Sequence, residues 1–248
     1  MTTPQNIYDK EAFFLGYRHL RETGAGLNDI LEQPALLGGL PKRMDGFRVL
    51  DLGCGFGTFA RRARELGAAS VLGIDVSERM LDEARKSTQD CMITYRRLAI
   101  EHVARCAGHF DLVVSSLALH YVADYAVAMR DVAELLRPGG LIAFSVEHPI
   151  MTALPEQCWQ RDVHGNCSHW PVDRYSDESS RHTHWFVDGV VKYHRTVASY
   201  VSGLLAAGFT LTAMSEPSPS GEAVASRADL AYHQRRPPFL VLAGQLQR

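Results

Sequence analysis

From Arg48 to Glu147 short apolar runs alternate with stretches of helical period: RVLDL, SVLGID, MITYRRL, FDLVVSS and LIAFSVE are the runs. After the first, Phe59, Ala63 and Leu66 share one helical face while Arg61, Arg62, Arg64 and Glu65 fall off it, and Gly67 is placed to end the helix. Ser77 is positioned to cap a second helix carrying Met80, Leu81 and Ala84, and Asp124 to cap a third running to Leu136. Pro138-Gly139-Gly140 then predicts a turn into the fifth strand. Such alternation predicts parallel strands joined by right-handed crossovers, an α/β sandwich.

Downstream, TVASYVSGLLAAG puts Val197, Tyr200, Val201, Leu204 and Leu205 on one stripe and Gly208 at the stop. FTLTAM and FLVLAG supply two more strands, which would complete a seven-stranded, mostly parallel sheet. Residues 148–194 lack a regular period, and near their end HTHWFVDGVVKYH predicts a hairpin turning at Asp188-Gly189. This stretch reads as a small insertion after the fifth strand, between core parts at 46–147 and 195–248, with 1–45 as a separate N-terminal segment. EPSPSGEAVASRADLAYHQRRPP predicts a long exposed loop.

Composition narrows the partners. With 26 basic and 28 acidic residues among 248, and no long run of one sign, the chain has no electrostatic footprint for nucleic acid or an anionic membrane. A small-molecule partner is the simpler expectation, for a monomer or a homodimer. No apolar stretch approaches the roughly 18 residues of a bilayer span. Five scattered cysteines and a start without a basic and apolar leader predict reduced thiols and a cytoplasmic protein.

The first apolar run leads into VLDLGCGFGTF, where Asp51 precedes Gly53, Gly55 and Gly57. Glycines here allow a tight strand-to-helix turn with backbone close to a ligand. A dinucleotide loop would want its third glycine where this chain has Thr58, and it binds a pyrophosphate that Asp51 would repel. A carboxylate suits instead a ligand with a cationic end, such as S-adenosylmethionine with its sulfonium and ammonium groups. Asp75 ends the next run, about 20 positions beyond the glycines, where an acidic residue takes ribose hydroxyls. Either aspartate could also serve as a turn or helix-cap residue. Ala99, Ile100, Ser115 and Ser116 end the next two runs, where open α/β sheets bind ligands.

With DLGCGFG, GIDVSERML, FDLVVSSLALHYV and LLRPGGLIAFSVEHP in that order, the chain resembles a class I S-adenosylmethionine-dependent methyltransferase of the branch acting on small molecules. The resemblance implies a Rossmann-like three-layer sandwich, S-adenosyl-L-methionine as cofactor and S-adenosyl-L-homocysteine as product. It implies that Asp51, Gly53 and Gly55 border the methionine end, that Asp75 takes the ribose, and that Val76 and Met80 lie against the adenine. Ile100 would cover the other face of the ring, and Ser115 would meet the amino-acid portion. The family often has an acidic residue after the third strand; AIE stands here, so Ala99 backbone or Glu101 would replace it. A helical N-terminal segment over the cofactor would give Tyr8, Tyr17 and Arg18 a lid role, although core packing suits these aromatics equally.

Methyl transfer is an in-line displacement, so alignment and desolvation supply much of the catalysis, and a base is needed only where the nucleophile carries a proton. His120 and His148 follow the fourth and fifth runs and could each take that proton, or be structural. The insertion carries Trp159, His164, His169, Trp170, Tyr175, His182, His184, Trp185, Tyr193 and His194, a cover suited to a flat ring or else a small secondary core or dimer contact. On its hairpin His182, His184 and Phe186 share one face and Thr183, Trp185 and Val187 the other. Cys158, His164, Cys167 and His169 lack the paired spacing of a zinc site, so no metal is expected, and no GxSxG nucleophile elbow is present.

The expected activity is methyl transfer from S-adenosylmethionine to an O or N atom of a small aromatic or heterocyclic metabolite. C-methylation of a quinone-like ring is the alternative within enzymes. A non-catalytic cofactor-binding sensor and a nicotinamide-dependent oxidoreductase are the rivals.

Overall fold

The computed structural model describes residues 4–24 and 26–247. Strands β1 (Arg48–Leu52), β2 (Ser70–Asp75), β3 (Ile93–Arg97), β4 (Phe110–Ser116) and β5 (Leu136–Glu147) form the parallel part of one sheet. Two two-stranded hairpins follow, β6 (Gln160–Arg161) with β7 (Cys167–His169) and β8 (Ser180–Trp185) with β9 (Val187–Tyr193). The sheet is completed by β10 (Phe209–Ser215) and β11 (Phe239–Leu246), giving the order β10-β11-β5-β4-β1-β2-β3 with β11 antiparallel to both neighbours. The seven-stranded, mostly parallel sandwich is thus the predicted one. Strand order reverses between β1 and β4, so a crevice opens at their carboxyl ends.

Helices α1 (Glu11–Glu22) and α2 (Gln33–Gly38) lie in the N-terminal segment, joined through a π-helical turn at Asn28–Glu32. Between strands run α3 (Thr58–Glu65), α4 (Glu78–Lys86) and α5 (Tyr125–Leu135); Ser77 and Asp124 cap the last two by accepting from the Met80 and Val127 amides. The short α6 (Pro149–Thr152) opens the insertion, and α7 (Val197–Ala206), α8 (Gly221–Ser226) and α9 (Ala231–Gln234) follow it. Alternation along β1 divides the core. Leu50 and Leu52 join the cluster with α5 and α7, whereas Val49 joins Leu36, Phe59 and Ala63 on the opposite face.

Four local expectations are corrected. Pro138-Gly139-Gly140 does not precede the fifth strand; β5 runs through it with a register shift against β4 between Phe110 and Leu112. Leu205 faces outward, half exposed, at the edge of the α7 stripe. The hairpin turns at Phe186 (φ 59°), and Asp188-Gly189 lies within β9 beside a register shift. Tertiary packing wins there: the Phe186 ring fills the space beside Gly16 of α1, where a Cβ would meet it at 2.7 Å. The stretch 216–238 is not plain loop but carries α8, a short 3-10 turn and α9. Among the described residues no helix is long and apolar enough to cross a membrane.

Candidate active site

The glycine loop leaves β1 by a bend that side chains would obstruct. At Gly53 (φ 70°) an added Cβ would lie 2.5 Å from that of Ala118, while the Gly53 and Cys54 amides both donate to the Ile74 carbonyl, at 2.8 and 2.9 Å. At Gly55 (φ 50°) a Cβ would meet nothing within 4 Å, so the backbone there borders open space. That space belongs to a cavity of about 450 Å³, a size suited to a small molecule. Its walls come from the carboxyl ends of all five parallel strands.

Asp51 and Asp75 are both on its wall. Asp51 is buried with Oδ2 lacking any hydrogen-bond partner. Burial, with the charge of Asp75 adding, pushes its carboxyl up to about 8, against the opposing Ala60 amide. Asp75 accepts from the Gly55 amide through Oδ2 and from the Ser77 amide through Oδ1, both at 2.9 Å. Burial raises it to about 6, the two amides opposing. An orphaned buried carboxylate oxygen beside an open loop is a seat for a cationic group.

Of the residues singled out in the sequence, Tyr17, Asp51, Gly53, Gly55, Asp75, Val76, Met80, Ala99, Ile100 and His120 all line this one cavity. Ser115 and His148 do not. The Ser115 hydroxyl donates to the Leu52 carbonyl at 3.0 Å, and it is Ser116 that reaches the wall. Both ring nitrogens of His148 are engaged elsewhere: Nδ1 accepts from the Ile150 amide and caps α6, and Nε2 meets Glu216 at 2.7 Å. This leaves no free nitrogen for the role its position suggested.

His120 differs. It is 2 % exposed, its ring lies 4.3 Å from that of Tyr121, and its Nδ1 has no partner. Burial lowers it to about 4; Glu147 opposes, and the charges of Lys192 and Arg195 add to the lowering. The imidazole is therefore neutral across the physiological range. The same cavity wall bears Tyr8, Tyr17, Tyr121 and Trp185, of which Tyr121 is the one against the imidazole. Tyr8 meets Tyr17 and Tyr121 edge to face, with centroids at 5.5 and 6.3 Å, and Trp185 meets Tyr17 at 6.0 Å.

Of the aromatic and histidine residues expected as a cover, Trp185 alone is on the wall; His164, His169, His182 and His184 are exposed to solvent. The inward face of the hairpin is the one bearing Thr183, Trp185 and Val187. Trp159 and Trp170 pack on each other, 5.5 Å apart, and neither is on the cavity wall. Among the described residues no three His, Cys, Asp or Glu side chains gather as metal ligands would.

Two acidic residues went unread. Glu147 lines the cavity, held by the Lys192 ammonium at 2.6 Å and the Gln157 amide at 3.1 Å. Burial pushes its carboxyl up, but Lys192 and its other neighbours outweigh that and hold it low. Its strand-end position after β5 was the available signal. Glu32, fully buried, accepts from the Ser145 and Ser116 hydroxyls at 2.5 and 2.9 Å and from Gln33, fastening the π-helical turn to β4 and β5. Nothing local in LNDILEQ marks it.

The N-terminal segment also holds the beginning of α4 and the hairpin. Asp9 accepts from the Ser77 hydroxyl at 2.6 Å and the Arg79 amide at 3.2 Å. The Gln5 side-chain amide exchanges two hydrogen bonds with the Val191 backbone, at 2.8 and 3.3 Å. Phe13 meets Trp185 and Phe186 edge to face, at 5.2 and 5.5 Å.

Known proteins give this geometry a family. The family described as methyltransferase domain matches residues 50–144. An S-adenosylmethionine dependent methyltransferase from Mesorhizobium loti, of known structure, is 43 % identical with a TM-score of 0.80, over 86 % of this chain and 97 % of its own. An uncharacterized protein of Haemophilus influenzae is 35 % identical over 224 residues, 88 % of each chain. A ubiquinone biosynthesis O-methyltransferase of Rhizobium etli is 33 % identical over 115 residues, 46 % of each. The orphaned Asp51 oxygen, the open backbone at Gly55 and the Asp75 carboxylate on the same wall fit S-adenosylmethionine. The chain belongs to the S-adenosylmethionine-dependent methyltransferases and uses S-adenosylmethionine as its methyl donor.

Proposed function

We propose that this enzyme methylates an O or N atom of a small aromatic or heterocyclic acceptor, bound flat beside His120. The observation that carries this reading is the row of touching aromatics, Trp185, Tyr17, Tyr8 and Tyr121, on the cavity wall, ending against the imidazole of His120, whose Nδ1 has no partner. Aromatic edges and faces of that kind favour a ring, and a neutral nitrogen can accept the proton of a hydroxyl or ring N–H.

In this reading the donor end would be held by Asp51 at its cationic groups, by the loop at Gly53 and Gly55, and by Asp75 at the ribose. Val76, Met80, Ala99 and Ile100 would enclose the adenine. When bound, the cofactor supplies an electrophilic methyl group on a sulfonium. The residues 4–24 and the β8–β9 hairpin form the cover, excluding water so that charge and alignment act in a low-dielectric space. His120 would take the proton that the acceptor's oxygen or nitrogen gives up on methylation. Ser115 and His148 have no part in either step.

One expectation concerns Asp51. With its carboxyl at about 8 in the free protein, most molecules carry a proton there at pH 7, and a cationic ligand favours the carboxylate. Binding of S-adenosylmethionine at pH 7 should release about one proton, and affinity should fall about tenfold for each pH unit below 8 and level off above it. Calorimetry in phosphate and in Tris, whose ionisation enthalpies differ, reads the proton directly. Equal heats in both buffers would contradict the assignment.

The reaction itself is tested with methyl-labelled S-adenosylmethionine and a fractionated metabolite extract. Label should appear in a small aromatic product on oxygen or nitrogen. Label on ring carbon would favour the quinone-type reaction, and no transfer under conditions where S-adenosylhomocysteine binds would favour a sensor.

A further inference from the structure

Beyond the acceptor end of the cavity, the buried cations exceed the carboxylate available to them. Lys192, Arg195 and Arg236 are all more than nine-tenths buried. Glu147 is already held by Lys192, and Arg195 donates to the Val122 and Ala123 carbonyls, at 2.6 and 2.8 Å. Arg236, 7 % exposed, has no such partner: its Nε and Nη1 are buried and meet no acceptor.

Two indole rings nevertheless pack against it. The guanidinium carbon lies 3.8 Å from the centre of the Trp170 ring and 5.5 Å from that of Trp159. Trp170 is itself anchored by donating to the Ile150 carbonyl at 3.1 Å, and Arg235 lies 4.5 Å over Trp159 while donating to the Cys167 and Ser168 carbonyls. The indole rings pack on the guanidinium and leave its Nε and Nη1 without an acceptor. A cation held in this way matches the oxygens of a carboxylate or a phosphate. Keeping it buried without one is costly.

The group lies behind the cavity wall rather than on it. Pro238 and Phe239, just after it, are on the wall, and the Pro238 carbonyl accepts from the His148 amide at 2.9 Å. Burial lowers the Arg236 group to about 10, opposed by the Glu147 carboxylate of the same wall, so it stays charged.

We infer that Arg236, stacked on Trp170 and Trp159, binds a carboxylate or phosphate group carried by the methyl acceptor. This rests on the reading of a small aromatic acceptor given above. The test is calorimetry on protein saturated with S-adenosylhomocysteine, using benzoate, phenyl phosphate, benzamide and inorganic phosphate as probes. Benzoate or phenyl phosphate should bind at least about tenfold more tightly than neutral benzamide, a factor set by one charge-matched contact. Arg236→Met should erase that advantage, keep the affinity for S-adenosylhomocysteine and raise Tm, since it removes a buried charge that lacks a partner. Equal binding of all three aromatic probes, or an advantage that survives Arg236→Met, would overturn the inference. Inorganic phosphate binding as tightly as phenyl phosphate would overturn the assignment to the acceptor. Binding of none of the aromatic probes to protein that does bind S-adenosylhomocysteine would instead be a failure of the aromatic-acceptor reading, distinct from equal binding of all three.

Discussion

Asp75→Ala should weaken S-adenosylhomocysteine binding by a hundredfold or more. Two effects act together. The carboxylate would lose its contacts to the ribose hydroxyls, and hydrogen bonds to a charged group contribute about 1.5–3 kcal/mol each. It also fastens the loop, because its two oxygens hold the Gly55 and Ser77 amides. Asp75→Asn, which keeps one accepting oxygen, should lose only about tenfold. Calorimetry separates the three proteins, and an Ala variant within threefold of the parent would remove Asp75 from the cofactor site.

His120→Ala should lower kcat by about a hundredfold to ten-thousandfold, the range of a positioned general base, while leaving the affinity for S-adenosylhomocysteine unchanged. The pH profile gives a second reading. A base must be neutral to act, and His120 is neutral above about 4, so kcat should stay level from pH 8 down to pH 6 and fall only as pH approaches 4. The fall below pH 8 expected from Asp51 belongs to cofactor binding and should appear in kcat/KM alone. An acid limb in kcat centred near the ordinary imidazole value of about 6.5 would place the base in solvent, away from His120. Alignment and desolvation would then carry the reaction if kcat in the Ala variant matched the parent.

The parts of the site legible in the sequence are those whose signal is local. An apolar run, an aspartate and spaced glycines lie within eleven residues of VLDLGCGFGTF, and they lead to the loop as found. Asp75 was legible because its distance from the glycines reflects one helix and one strand. Ser115 was misplaced because neighbouring strand residues point to opposite faces, so one position decides between the Leu52 carbonyl and the cavity. His120 and His148 follow successive strands in similar settings; what divides them is Glu216, far along the chain, which holds one ring and leaves the other free. Glu32 and Arg236 were beyond reach for the same reason, since burial and partners arrive from strands and helices that no short stretch announces. The Asp188-Gly189 turn signal was sound chemistry that lost to the fit of Phe186 against Gly16.

The joint between Gln5 and Val191 has a consequence for engineering. The chain's first described residues and a hairpin 186 positions later meet as if they were one element, with Phe186 seated at Gly16 and Phe13 against Trp185. A hairpin transplanted from a relative to alter acceptor choice would arrive without its mate and leave that seat mismatched. The exchangeable module of this enzyme is therefore a discontinuous pair, to be moved together or not at all.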